Sequence, residues 1–507
     1  MSRLVPLAVA VALIALPLLL RRTPPATAAG ERLVIISPHD ENTRSEFARA
    51  FQRWALVERG VLVEIDWRTP GGTADIQRFL RARYRAALGD ALPELADADR
   101  FDAPGEPAHA AFLASEVGIG HDIYWGGGEA AFRRCADQGF LVDAGLARAH
   151  PAWFADAVIP QRLGGEAFYD ERGRWYGASL GSLGIAANRD RLAALADPTA
   201  PDSWMDLGEP RLAGLVSITD PTRSSAAVNA FERLIQQQMH LADAGDEARA
   251  RAIGWERGFA LIRRIVGNAR SVDDAVSKGP RAVARGEAVA AICLDFQAHG
   301  EAAYAEAMAG ERRLTFTAPL GGASVGADPI ALLRGAPSRA LATDFIGFVL
   351  SPEGQRLWSY RVGAPGGPTV YALHRAPVRR DVYTAADRAL MSEPTLDPFA
   401  LAAASSYRAE RTAAIAGLIA PLTRALALDA RPELTAAWEA IIAAGGPERV
   451  PEAMAAFAWM PVAYADADES LALIRRGPRE ALPLMRGWTS MAIARYADAE
   501  RLARAGR

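Results

Sequence analysis

The stretch that decides the fold begins Leu33-Val34-Ile35-Ile36-Ser37-Pro38-His39-Asp40-Glu41 and continues to Leu80. It opens on an apolar run of strand type that stops at Ser37-Pro38. Phe47, Phe51 and Trp54 then recur at i, i+4 and i+7, one face of a helix, and Gly60 is placed to end it. Val61, Val63, Ile65 and Trp67 share one face of a second strand. Thr69-Pro70-Gly71-Gly72 reads as a turn, with Thr73 placed to cap a helix over Ala74 to Tyr84. Strand, helix, strand, loop, helix makes a parallel pair with a right-handed crossover. Ligands of open α/β sheets sit at the carboxyl ends of the strands. Here those ends carry Ser37, His39 and the Gly71-Gly72-Thr73 loop.

A chain of 507 residues has room for two or three domains, and with half its residues hydrophobic it can bury sizeable cores. The formal net charge of −3 leaves no basic footprint, so nucleic acid is not expected as a partner. Seven histidines and two cysteines offer little material for a zinc site, and no cofactor or metal is expected. Cys135 and Cys293 can pair, but they read more simply as two buried thiols.

Leu4 to Leu20 is almost wholly apolar, with Arg3 before it and Arg21-Arg22 after it. A run of this length serves as a signal-peptide core or as a short membrane helix. Ala26-Thr27-Ala28 offers a signal-peptidase site, whereas the basic pair suits an uncleaved anchor. Either way the mature chain is expected outside the cytoplasm, free in the periplasm or tethered to the inner membrane.

Residues 89–107 are rich in Ala, Asp, Glu and Pro and read as an exposed insertion. Gly120 to Trp125 reads as a short strand running into Gly126-Gly127-Gly128, before a helix from Glu129 to Gly139. Trp175 to Leu180 and Gly184 to Asn188 are two extended pieces around Gly181-Ser182. Leu215 to Thr219 is a strand ending in Asp220-Pro221-Thr222-Arg223-Ser224-Ser225, where Ser224 or Ser225 would cap the next helix. The strand Ala288 to Leu294 ends at Asp295-Phe296-Gln297. Beyond about Asp381 the pattern is helical, and no 20- to 50-residue repeat is present.

The order of these pieces resembles a type II periplasmic solute-binding protein of an ABC importer, in the branch that includes ferric-iron, phosphonate, sugar-phosphate and polyamine binders. The resemblance rests on the strand-helix opening, Asp122-Ile123-Tyr124-Trp125, Gly184-Ile185-Ala186-Ala187-Asn188, Ser203-Trp204-Met205-Asp206-Leu207, Asp220-Pro221 with Ser224-Ser225, Gly286-Glu287-Ala288, and Ser351-Pro352-Glu353-Gly354-Gln355. It covers roughly Glu31 to Val370. It implies an α/β, two-lobed fold with a hinge, plus an extra C-terminal helical segment. The implied division is 1–30 as signal or anchor, 31–145 with 300–370 as lobe 1, 146–299 as lobe 2, and 371–507 as the helical extension. The implied partners are a small-molecule solute and an ABC permease in the inner membrane, and the chain is expected to be monomeric.

Ferric-binding relatives use hard oxygen ligands, including adjacent tyrosines after the late strand. His39 stands where their histidine would be, but Phe296-Gln297 occupies the tyrosine positions, and Phe296 cannot ligate a metal. The remaining cleft candidates are hydroxyls and glycines before helices: Gly72, Thr73, Gly126, Gly127, Ser224 and Ser225. Free N–H groups at helix starts favour anions. Trp125, Ser182 and Asp295 complete the expected set with Ser37 and His39. Thr73 and Ser224 also serve as plain helix caps, and Asp295 reads equally as a hinge residue. An extracytoplasmic enzyme using His39, Asp40 or Glu41 is disfavoured, since His-Glu-x-x-His and phosphate-loop motifs are both missing. A sensor or scaffold subunit using the same cleft is a further alternative, as is a ferric-iron binder.

Overall fold

A computed structural model describes residues 30–95 and 98–506. The apolar Leu4 to Leu20 segment and the Ala26-Thr27-Ala28 site therefore lie outside the described residues. Strand β1 (Glu31–Ile36), helix α1 (Glu41–Arg59), β2 (Val63–Arg68) and α2 (Thr73–Ala91) follow the order read from the opening stretch. Asp40 caps α1, its carboxylate accepting the Thr43 N–H at 3.0 Å. Phe47, Ala50 and Phe51 turn inward, and Gly60 ends the helix in the left-handed conformation. β1 pairs in parallel with β2 and with β3 (Ile123–Trp125), which leads into α3 (Glu129–Asp137).

The chain then enters β4 (Tyr176–Asn188), which belongs to two sheets. Downstream lie β5 (Val216–Thr219), α4 (Ser225–Leu241), α5 (Glu247–Gly267), β6 (Ala269–Asp273), β7 (Ala290–Leu294), α6 (Asp295–Ala309), β8 (Leu314–Thr317), β9 (Val325–Leu333) and β10 (Ala376–Pro377). The first sheet runs β2-β1-β3-β9-β4-β10 and the second β8-β4-β7-β5-β6. Tyr176 to Ser182 pairs with β9 in the first sheet, and Leu183 to Asn188 pairs with β7 and β8 in the second. Residues 318–324 between β8 and β9 recross in the opposite direction. Two α/β lobes thus share a double crossing, the architecture the resemblance implied.

The crossing falls later than the sequence suggested. Gly181-Ser182 looked like a break between two pieces, yet the backbone stays extended through it. Residues 146–182, expected in lobe 2, therefore pack in the first lobe, where Leu146, Ile159, Phe168 and Tyr176 join its core. Residues 300–317, expected in lobe 1, stay with the second, because β8 pairs with the far half of β4. The 89–107 segment is not simply exposed: Phe101 is fully buried against Phe112, with ring centroids 5.3 Å apart, and Asp102 accepts from Arg81 at 2.8 Å. Both cysteines are free and buried.

The C-terminal 371–507 segment is not one separate body. Leu373, Ala376, Val378 and Ala402 join the first-lobe core, while β10 pairs with Ser179 and Leu180 of β4. From Ile415 to Ala503 the helices share a continuous core with the second lobe. Trp438, on helix α7 (Arg431–Ala443), is its anchor. The indole is fully buried, donates from Nε1 to Asn268 Oδ1 at 2.7 Å, and lies against Gly267 at the end of α5. Because the apolar surface is shared, the second lobe and these helices should unfold as one unit. Trp438→Ala should cost about 3–5 kcal/mol, the usual penalty for deleting a large buried aromatic. Denaturant unfolding followed by circular dichroism checks both points; a separate early transition for the C-terminal helices would show that the core is not shared.

Candidate functional site

The loops after β1, β2 and β3 meet at one end of the first sheet. β9 runs antiparallel to β3 with Ile330 opposite Trp125, which carries Asp328 past the end of β3. Its carboxylate accepts from His39 Nε2 at 2.7 Å, the Gly127 N–H at 2.7 Å and Arg375 Nη1 at 2.8 Å. Burial pushes the Asp328 carboxyl up, but His39, Arg375 and the Gly127 amide outweigh it and hold the group below its ordinary range. Gly126 and Gly127 have φ of 100° and 130°, and a Cβ on Gly126 would run into the His39 ring. A Cβ on Gly127 would reach Thr73 Oγ1 at 3.0 Å, so His39, Thr73, Gly126 and Gly127 converge.

On the second-lobe side, Asp295 opens α6. It accepts from the Ser182 N–H at 3.0 Å, Ser182 Oγ at 3.3 Å and the Phe296 N–H at 2.7 Å. Burial pushes its carboxyl up to about 6. Ser182 and Asp295 thus tie the crossing of β4 to the end of β7, which is the hinge role weighed for Asp295. The Arg375 guanidinium lies 3.7 Å from the centroid of the Phe296 ring while bonding Asp328, so it touches both lobes.

Ser224 caps α4, its Oγ accepting the Ala227 N–H at 3.4 Å, and Ser225 is exposed as the first helical residue. Among the described residues the amides of Ser225 and Ala226 have no acceptor, and neither do those of Thr73 and Ala74 at the start of α2 or Glu129 and Ala130 at the start of α3. A Cβ on Gly128 would lie 3.8 Å from the Asn229 amide nitrogen, so the start of α3 faces the first turns of α4. Three sequence candidates sit otherwise. The Gly72 amide is bonded by Asp75 at 3.0 Å, Ser37 is buried with its Oγ accepting from the His39 N–H at 3.1 Å, and Trp125 is wholly buried. Trp125 supports His39 edge-on at 4.9 Å rather than lining a cleft.

Sequence reasoning missed the contacts that join the lobes. Arg233 of α4 is buried and donates to Glu166 Oε1 at 2.5 Å, Glu232 Oε2 at 2.6 Å and Ser324 Oγ at 2.6 Å. Its guanidinium lies 3.8 Å from the Tyr407 ring. Glu166 belongs to the first lobe, Ser324 to the recrossing segment and Tyr407 to a C-terminal strap. The strap is fixed to α4 by Gln236, which accepts the Arg408 N–H at 2.9 Å and donates to the Arg408 carbonyl at 3.0 Å. It is fixed to the first lobe at Gly165, where any Cβ would collide with the Tyr407 carbonyl. Elsewhere Arg312, after α6, donates to both oxygens of Glu393 at 2.9 and 3.0 Å. Asp328 and Arg375 were missed too; an Asp-Pro pair before an apolar strand, Asp328-Pro329, was their faint signal.

Arg233→Met should leave Glu166 and Glu232 buried without their cation. Removing one partner of a buried pair costs about 3–5 kcal/mol. The variant should lose stability and show a larger radius of gyration in X-ray scattering as the lobes part. An unchanged radius and unchanged stability would show that Arg233 does not hold the interlobe angle.

Residues 141–381 match the family model of bacterial extracellular solute-binding proteins. The phosphoglycerate transport regulatory protein PgtC of Salmonella typhimurium is 27% identical over 180 residues, which are 35% of this chain and 39% of that protein. An uncharacterized protein of Haemophilus influenzae is 27% identical over 178 residues, 35% of this chain and 45% of its own length. The chain thus spans less than half the length of these curated relatives. The crystal structure of an extracellular solute-binding protein from Bordetella parapertussis superposes with a TM-score of 0.50 at 14% identity, covering 78% of this chain and 99% of that one. That likeness speaks for the fold alone. That family is described by extracellular solute binding. Over residues 141–381 the chain is thus similar to bacterial extracellular solute-binding proteins.

Proposed function

We propose that the protein captures a small anionic solute, bearing phosphate, phosphonate or carboxylate, in the cleft between its lobes and delivers it to an ABC permease as a monomer. The observation that carries this reading is the meeting of helix starts with unbonded amides: α2 and α3 on the first lobe, α4 on the second. Each start carries roughly half a positive charge from its aligned peptides. Ser225 and Thr73 add hydroxyl donors beside those amides. His39 and Arg375 already share the Asp328 carboxylate, so the net attraction falls to the helix starts. The name of the Salmonella relative points the same way, since phosphoglycerate carries both a phosphate and a carboxylate.

A sensing role is the second reading, favoured by the regulatory role in that relative's name and by C-terminal helices fused to the second lobe. A cation 3.7 Å from the Phe296 ring disfavours a ferric ion at the position of the missing tyrosines. An uncleaved Leu4 to Leu20 segment would tether the protein to the inner membrane in either role.

Isothermal titration with phosphoglycerate tests the anion reading. Hydrogen bonds to charged groups contribute about 1.5–3 kcal/mol each. Ser225→Ala and Thr73→Ala should therefore each weaken binding by roughly 10- to 150-fold. Thermal melts of the same variants separate this effect from a loss of stability; Thr73, expected as a cap, is the first helical residue after the cap Gly72, as Ser225 is after Ser224, so neither change removes a cap. If phosphoglycerate, inorganic phosphate and methylphosphonate all fail to bind while a polyamine does, the solute is cationic and the proposal fails.

A further inference from the structure

A groove of about 580 Å³ runs along the first lobe, lined by Arg32, Arg68, Arg83, Phe79 and His121. It shares no residue with the interlobe site. Arg32 starts β1, Arg68 ends β2, Arg83 rises from α2, and His121 precedes β3. Arg32 and Arg68 both bond a single carboxylate oxygen of Asp66, the latter at 2.6 Å. Among the described residues Arg83 has no carboxylate within 4 Å. Three guanidiniums thus line a concave surface with no carboxylate among its lining residues; Asp66, on the same face of β2 as Arg68, pairs with two of them, and Glu64 stands exposed nearby on β2.

His121 is the second, independent observation. Its Nδ1–H donates to the Ile119 carbonyl at 2.8 Å, and Phe79 packs edge-on at 5.5 Å. These contacts fix the ring and leave Nε2 without a hydrogen-bond partner in the lining of the groove. The groups facing His121 are Arg68, Arg83 and Asp122, and the Asp122 carboxylate is taken by the Val34 and Ser338 amides at 2.8 and 2.7 Å. Burial first, then Arg83 and Arg68, hold the imidazole below its ordinary pKa. Among the described residues Arg83 is therefore the guanidinium of the groove without an ion pair, beside two that share the single charge of Asp66.

We propose that this groove is a second anion site, built for a phosphate oxyanion. Arg side chains match such an oxyanion bidentately, and an imidazole that gains a proton adds a further donor. Two sources share this chemistry: a free phosphate compound and a phospholipid headgroup. The second is raised by the path of the chain, because Arg32 follows the apolar Leu4 to Leu20 segment by only a short link.

Histidine-selective NMR of the full chain, with the His121 resonance assigned by His121→Gln, tests the proposal at low ionic strength. Sodium pyrophosphate should shift that resonance and raise the pH at which it titrates, because a dianion stabilises the imidazolium. Arg83→Ala should weaken the response roughly tenfold, while Ser225→Ala, in the interlobe cleft, should leave it unchanged. A shift with pyrophosphate identifies a free oxyanion site. A shift only with phosphatidylglycerol nanodiscs, and not with phosphatidylcholine ones, identifies the headgroup as the source. No shift with either probe, or a shift that survives Arg83→Ala undiminished, overturns the proposal.

Discussion

The rest of the structure depends on one buried guanidinium. Arg233 has left water, and its charge persists only because Glu166, Glu232 and Ser324 surround it and the face of Tyr407 covers it. Those partners come from the first lobe, the second lobe, the recrossing segment and the C-terminal strap. Satisfying one cation therefore fixes how four parts of the chain sit together. A hinge built from β4 alone would leave the interlobe angle loosely defined. The Arg233 cluster, the strap over Gly165 and the Arg312–Glu393 pair define it.

Asp328 plays the corresponding part inside the first lobe. It gathers the loop after β1 through His39, the loop after β3 through Gly127, and the C-terminal segment through Arg375. The Arg375 cation is paired with a carboxylate of the protein's own, so the rim is orderly but not strongly charged. What remains open to a solute is backbone: the amides that start α2, α3 and α4. Such a site suits recognition of an oxyanion by geometry and dipoles, with closure supplying the second half of the contacts.

The opening α/β unit was legible because a short apolar run in β1 and a period of 2 in β2 contrast cleanly with the period of 3.6 in α1. That placement brought His39, Thr73, Gly126 and Gly127 to one sheet end, where the structure also finds them. Trp125 misled because a three-residue strand gives no alternation from which to tell a cleft face from a core face. The lobe boundary at 145/146 came from the resemblance, whereas the change of sheet falls at Ser182-Leu183, inside one continuous strand that no local break marks. The joining contacts were unreadable for a different reason: His39 and Asp328 are 289 residues apart, Glu166 and Arg233 67, and Asp328 and Arg375 47. No local pattern marks a pairing of that separation, and Arg233 alone looks like any charged residue on a helix.

In the proposed reading an organic anion occupies the cleft between the clasped lobes. Native mass spectrometry of the protein purified from its native host is the decisive measurement. The expected result is an added mass that is released on denaturation and identified as a molecule bearing phosphate, phosphonate or carboxylate. A retained iron atom or a polyamine released in its place would contradict it.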